Sequence, residues 1–513
     1  MPNRFRPQAL RPGALFSGAL FPGILFPRTL GLLVLCGLLA GWSFDAEAQN
    51  LKVLKSAVNQ EVRKARGVAS ELGVHIVEID TGRDVYSYNA DTRRIIASNT
   101  KLVSSAAALD RLGPTYFFET PVFLRGNMHG NSLDGDLGVV GGGDPTISGR
   151  FSNGDSFAVF RHWAARLKEL GIRRIDGDLY LATGFFDDQW VHPDWPKDQL
   201  DRWYEAPVAS LSFNDNCVLV KAEGVRTVSG NARISLVPAL PFYKLKGSVS
   251  LTSNPRKEWI RIGRKTASPT AEEARTFEIS GRIHRRTEQL DKWVTVANPV
   301  TYFGVALRHA LLEEGVELTG RVLKVRSLSG SWRQVTVHRS DLLTALEIVN
   351  KRSQNFYAEA VTKTLGAETC GEGTWEAGLR TIREFLDEVG LDRSAYSLAD
   401  GSGMSRNNRF TPRQLTTLLR HMHGHRWSAE YRSTLPVSGE KDLSWEKRLA
   451  SAAYRDRVWS KTGTLNGVST LSGYARGRSG KLYAFSILGN RSKANWRSKN
   501  AQDAVLRALI DHG

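Results

Sequence analysis

Ser98-Asn99-Thr100-Lys101 opens a stretch, Ser98–Leu112, that is rich in Ala and Leu and stopped by Gly113-Pro114, which predicts a helix. The i to i+3 spacing puts the Ser98 hydroxyl and the Lys101 ammonium on one helix face, within hydrogen-bond reach. A serine hydroxyl is a weak nucleophile until a base takes its proton, and a desolvated lysine can be that base. The helix N-terminus favours negative charge developing near Ser98 and supplies a backbone N–H for an oxyanion. The pattern alone is weak, because a capped surface helix carries the same residues and Ser444-Trp445-Glu446-Lys447 matches it too.

Two further groupings follow along the chain. Ser353-Gln354-Asn355 offers a second hydroxyl for proton relay and an amide able to hold a peptide carbonyl. Its spacing is common: Ser87, Ser212, Ser229, Ser405 and Ser498 also have Asn two places on, so position and order single it out. Lys461-Thr462-Gly463-Thr464 opens a predicted strand whose alternation puts Lys461 and Gly463 on one face. A cation there suits a substrate carboxylate, Gly463 leaves room for another backbone, and the strand can pair with an extended peptide. Arg478-Ser479-Gly480 is a poorer relative of that motif in a hairpin turn.

The elements that position these groups are legible in outline. A helix over 51–66 precedes strands at Gly73–Asp80 and Val85–Tyr88. From about 114 to 325 the texture changes to short strands and Gly-rich turns, such as Gly135–Val140 and Gly177–Ala182, with one clear helix at Phe157–Leu170. Helices resume at Asp341–Arg352, Asn355–Leu365 and Thr374–Val389. Thr464–Ala475 and Leu482–Leu488 then read as neighbouring strands before a last amphipathic helix at Ala501–Ile510. Similar texture at both ends with a foreign middle predicts a split domain, 49–113 and 326–513, around an insert at 114–325.

At 513 residues two or three domains are expected, and 41% hydrophobic with 24% charged residues is globular. The formal charge of +18 suits an anionic polymer or surface, yet the basic residues are scattered with no run longer than a pair, which disfavours nucleic acid. Peripheral contact with an anionic membrane or cell wall remains compatible. Four arginines before an apolar stretch at Leu30–Gly41, then Ala46-Glu47-Ala48, predict a signal peptide over 1–48 and export to the periplasm. The apolar stretch is shorter than the roughly 20 residues of a membrane span. Cys217 and Cys370 then remain, as one disulfide or as free thiols. His421, His423 and His425 cluster near a helix end, and a solvated end accounts for them better than a metal site.

The SxxK, SxN and KTG motifs in this order resemble the signature of penicillin-binding proteins and serine β-lactamases. Ser98 and Ser353 lie 255 positions apart and Ser353 and Lys461 lie 108 apart, a spacing too wide for β-lactamases. It is similar to that of the class C low-molecular-mass penicillin-binding proteins, the D-alanyl-D-alanine carboxypeptidase/endopeptidase family. Gly141–Thr146, Tyr204–Asn216, Asp400–Asn407 and Lys461–Val468 also resemble family stretches. The resemblance implies an α+β, β-lactamase/transpeptidase-like domain, an antiparallel sheet flanked by helices, split by a large mostly β insertion of two small domains. It implies an acyl-enzyme on Ser98, Lys101 as proton acceptor and Ser353 as relay. Asn355 and Thr464 would hold the substrate backbone, Lys461 and Thr462 its terminal carboxylate, beside Gly463. Arg406 and Asn466 occupy places that help bind substrate, and Asp198 is the candidate for a diaminopimelate amine. The implied partners are peptidoglycan muropeptides and, as covalent inhibitors, β-lactams; no cofactor or metal is needed. A serine β-lactamase and a non-catalytic peptidoglycan-binding protein of the same fold are the rival readings.

Overall fold

The computed structural model describes residues 48–226, 230–264 and 272–513. The chain divides into two units, Met1–Lys52 and Val53–Gly513, and the elements below belong to the second. The expected signal peptide lies outside the described residues apart from its last position. Among the described residues no helix is long and apolar enough to cross a membrane.

A five-stranded antiparallel sheet forms from both ends of the chain, in the order Val458–Leu465, Val468–Arg476, Leu482–Ser492, Ala69–Glu78, Asp84–Tyr88. The join is the pairing of Ala69–Glu78 with Leu482–Ser492, in which Val74 faces Ile487. Both strands are buried almost throughout, as strands covered on two faces must be. The helix Thr100–Leu112 runs through the core, with every residue from Thr100 to Leu109 buried. Its run Ala106-Ala107-Ala108 lets neighbouring helices approach closely, and Phe356, Tyr357, Val361, Ile382 and Phe385 belong to the same core. Ser98 itself precedes the α-helix, which starts two residues later than expected, at Thr100, and lies in a 3₁₀ turn over Ala97–Asn99.

The middle of the chain forms three further sheets. Seven strands make a mixed sheet around the hairpin Phe117–His129 and Ser132–Val140. Arg333–Asp341 pairs with Phe117–His129, so this sheet extends beyond the boundary expected at 325 and ends where the helix Leu342–Lys351 begins. Cys217–Glu223 is the centre of one three-stranded sheet and Thr276–His284 of another. A second helix, Pro299–Glu313, was not expected beside Ala158–Glu169; Asn298 caps it with Pro299 at its first position. Phe160, Trp163, Phe213, Tyr302 and Phe303 pack into a core of their own.

One other expectation is corrected, and one left open is decided. Thr464–Ala475 is not one strand: the chain turns at Asn466-Gly467, with φ of 72° at Gly467, and returns as Val468–Arg476. Asn-Gly favours such two-residue hairpin turns. Cys217 and Cys370 are both free thiols, the first buried in the core.

Candidate active site

The three motifs, far apart in the chain, meet in a cleft of about 400 Å³. Its lining includes Ser98, Ser353, Asn355, Thr462, Thr464 and Asn466. The turn that carries Ser98 is held against the sheet by named bonds. Asn99 Nδ2 donates to Lys461 O at 2.7 Å and Thr470 Oγ1 donates to Ile96 O at 2.8 Å. Ala97 has φ of 46° and Ser353 φ of 56°, so two non-glycine residues adopt left-handed backbone beside the cleft. Such strain costs about 1–3 kcal/mol and persists where the surroundings enforce it. Gly463 is required by space: a Cβ there would lie 2.2 Å from Thr470 Oγ1, 2.7 Å from Ile96 O and 3.0 Å from the Ser98 amide nitrogen.

Lys101 is fully buried and its ammonium has three partners. Nζ donates to Ser98 Oγ at 3.1 Å, Asn355 Oδ1 at 2.7 Å and Ser402 O at 2.7 Å. Burial pushes its pKa down to about 7, against the opposing pull of Glu359 and Asp400. Lys461 is also buried, below the cleft; its Nζ donates to Ser353 Oγ at 2.7 Å and to Thr462 O at 2.9 Å. Burial, and then the neighbouring Lys101, push it well below the usual lysine range. Two lysines so placed favour loss of a proton from one of them.

Lys461 does not line the cleft, and its ammonium engages Ser353. The hydroxyl-bearing Thr462 and Thr464 face the cleft instead. Asn355 has both ends of its amide engaged, Oδ1 by Lys101 and Nδ2 on Tyr204 O at 2.7 Å, so it braces the site. Arg406 is exposed, and its Nη1 donates to Asn466 O at 3.1 Å, which joins the two expected rim residues. Asp198 is exposed and does not line the cleft; it borders an adjoining cavity. Ser444 lies in a turn rather than on a helix, away from the cleft lining.

Sequence reasoning missed the carboxylates behind Lys101. Buried Glu359 accepts N–H bonds from Gly401, Ser402 and the Trp375 indole at 3.0, 2.8 and 2.8 Å. Asp400 accepts from Gly403, Ser405 and Asn408 at 2.7, 2.6 and 2.6 Å. Together they fold 400–408 into the loop that presents Ser402 O to Lys101. Burial and then Asp400 push Glu359 up to about 7, while its three N–H donors favour the carboxylate. Glu205, next to Tyr204, is buried with neither oxygen hydrogen-bonded. Burial, then Asp198 and Asp201, raise it to about 8, so it is mostly neutral at pH 7. The only signal in the sequence is proximity to a motif: Glu359 follows Asn355 by one helical turn.

The strand Val458–Leu465 is an edge of its sheet. Val437 bridges it at Trp459, but among the described residues no strand pairs with its outer edge from Thr462 onward. An edge of this kind can take an extended peptide as an added strand. A larger recess of about 1060 Å³, lined by His75, Asp84, Arg413, His421, His423 and His425 among others, shares no residue with the cleft. His425 Nε2 meets Asp110 Oδ1 there at 3.0 Å, and among the described residues no group of three His, Cys, Asp or Glu is disposed to hold a metal ion.

The model of the D-Ala-D-Ala carboxypeptidase 3 (S13) family matches residues 54–510. A D-alanyl-D-alanine carboxypeptidase of Actinomadura sp. (strain R39) is 30% identical over 488 residues, covering 91% of this chain and 86% of the relative. The D-alanyl-D-alanine carboxypeptidase DacB of Haemophilus influenzae is 23% identical, covering 81% of this chain and 84% of its own. Among solved structures, penicillin binding protein 4 (dacB) from Haemophilus influenzae matches with a TM-score of 0.75 at 22% identity, covering 87% of this chain and 97% of that one, a likeness of fold.

Proposed function

The chain belongs to the D-Ala-D-Ala carboxypeptidase 3 (S13) family, a serine-type carboxypeptidase by that membership, and we propose that it acts through an acyl-enzyme on Ser98. The observation that carries the assignment is Ser98 Oγ, 3.1 Å from the Nζ of a buried Lys101, in a cleft walled by an open strand edge. A pKa of about 7 leaves a large neutral fraction of Lys101 at neutral pH, fit to take the hydroxyl proton. Ser98 Oγ then attacks the carbonyl between two D-alanines, and the backbone N–H groups of Ser98 and Thr464 steady the oxyanion. The proton taken up by Lys101 is relayed through Ser353, held by Lys461, to the departing amine, which leaves with the terminal D-alanine. Water restores Ser98 and releases the shortened peptide.

The substrate in this reading is a peptidoglycan stem peptide laid along Thr462–Thr464, with Thr462, Thr464 and Asn466 meeting its backbone and carboxylate and Arg406 at the rim. Cross-links between stem peptides present the same kind of bond, so endopeptidase action belongs to the reading, and β-lactams acylate the same serine. The crystal structure of the Haemophilus influenzae protein complexed with a β-lactam supports this by analogy of fold. The N-terminal sequence supports export to the periplasm. The test is labelled penicillin on purified protein, followed by a defined pentapeptide and a cross-linked muropeptide. Ser98→Ala should abolish the covalent adduct and D-alanine release, and Ser444→Ala should keep both. An adduct persisting in Ser98→Ala would refute the assignment.

A further inference from the structure

A cavity of about 550 Å³ adjoins the catalytic cleft and shares Gln199, Trp203 and Tyr204 with it. The rest of its lining includes Asp201, Asp291, Lys292 and Trp293. Two indoles are exposed there, Trp203 by 42% and Trp293 by 43%. An antiparallel bridge pairs Arg202 with Val294, which brings Trp203, at the start of a 3₁₀ turn, and Trp293, in the strand Leu290–Thr295, to the lining of the same cavity. The platform is anchored from beneath. Thr295 N donates to Asp201 O at 3.2 Å, while Thr295 Oγ1 and Arg264 Nη2 both donate to Leu200 O at 2.5 Å. Gly263 leaves room for the Asp201 carboxylate, since a Cβ there would lie 2.5 Å from Asp201 Oδ2.

Large aromatic surface left in a cleft, rather than scattered singly, marks a binding site. The chemistry here is specific: flat aromatic faces beside carboxylates that accept hydrogen bonds. A pyranose ring matches it, with a C–H face for the indole and hydroxyls at its edge for Asp201 and Asp291. Three acids, Asp198, Asp201 and Asp291, against Arg202 and Lys292 disfavour an anionic ligand and leave a neutral sugar unopposed. Reach agrees as well. Four peptide residues between a scissile carbonyl and the sugar span at most about 14 Å, and this cavity shares a wall with the cleft.

We propose that the cavity is a saccharide subsite, in which Trp203 and Trp293 stack a sugar ring of the glycan strand that carries the stem peptide. The proposal rests on the peptidoglycan reading above. The enzyme would thereby take its peptide in the setting of the wall polymer, with the glycan side contributing to KM.

A neutral tetrasaccharide of N-acetylglucosamine, titrated into the full chain by calorimetry, tests this without turnover. Wild type should bind it, and Trp293→Ala should weaken binding at least about tenfold, with Trp293→Phe recovering part of it. Asp291→Asn provides a second variant that removes no buried apolar surface, and it should weaken binding too. No binding by wild type, or equal binding by wild type, Trp293→Ala and Asp291→Asn, would overturn the subsite whatever the activity. Sugar binding without D-alanine release from a pentapeptide would leave the subsite standing and sink the catalytic reading alone.

Discussion

Replacing Glu359 by glutamine tests whether the buried carboxylate behind Lys101 sets the basicity of that lysine. Oε2 accepts from Gly401 N and the Trp375 indole, and Oε1 from Ser402 N. In Glu359→Gln the amide oxygen can keep the two donors at one position, but its NH₂ then faces the Ser402 N–H. One hydrogen bond to a charged group is lost and a buried donor is left unpaired, a cost of about 2–4 kcal/mol. The same change removes the carboxylate whose charge, where Glu359 is ionised, helps hold the Lys101 pKa up at about 7. The sign follows: Lys101 falls further, and the limb of activity that rises as Lys101 loses its proton moves to lower pH. At pH 6 a group of pKa 7 is neutral in about one molecule in eleven, so a fall in the Lys101 pKa enlarges the reactive fraction there. The assay is the second-order rate of penicillin acylation between pH 5 and 9, with urea unfolding of the same preparation. Glu359→Gln should show a lower plateau, because Ser402 O is less well presented, together with an acid limb displaced downward. Glu359→Asp should restore the position of the limb in part. An acid limb that stays in place, or moves upward, would refute the role of Glu359 as a positioning residue acting through Lys101.

Three further outcomes follow from the same geometry. Lys461→Ala removes the donor to Ser353 and should lower kcat/KM at least about tenfold, while Lys447→Ala, on an exposed turn, should leave it near wild type; equal rates in the two variants would remove Lys461 from the site. Arg406→Ala should change stability by less than about 0.5 kcal/mol, yet slow hydrolysis of diaminopimelate-containing peptides far more than acylation by benzylpenicillin, which lacks the distal group; proportional loss of both rates would return Arg406 to the solvated surface. Gly463→Ala forces the strand away from the Ser98 turn, and a displacement approaching 1 Å should cost about a hundredfold in acylation; wild-type acylation rates would show that the close approach is not needed.

The sequence by itself determined what local spacing can determine. Ser98 and Lys101 share a helical turn, so their contact at 3.1 Å was legible in the interval of three residues. The helices Leu342–Lys351, Asn355–Cys370 and Trp375–Glu388 were visible in their periodicity, and the insert in its change of texture. Its end was not, because nothing local says that Arg333–Asp341 pairs with a strand some 200 residues earlier. The turn at Asn466-Gly467 is written in its own two residues, although the apolar run around it reads as one continuous strand. Tertiary structure alone decided the surroundings of the charged groups. Lys461 has the type and spacing of a carboxylate ligand, and only burial beneath the cleft turns it toward Ser353. Glu359 reads as one more helical acid until the loop 400–408 folds over it and delivers two of its backbone N–H groups. Trp203 and Trp293, ninety positions apart, become neighbours only through the bridge between Arg202 and Val294. The physical reason is common to all of these: a side chain's chemistry is set by desolvation and by partners distant in sequence, and neither exists until the chain has packed.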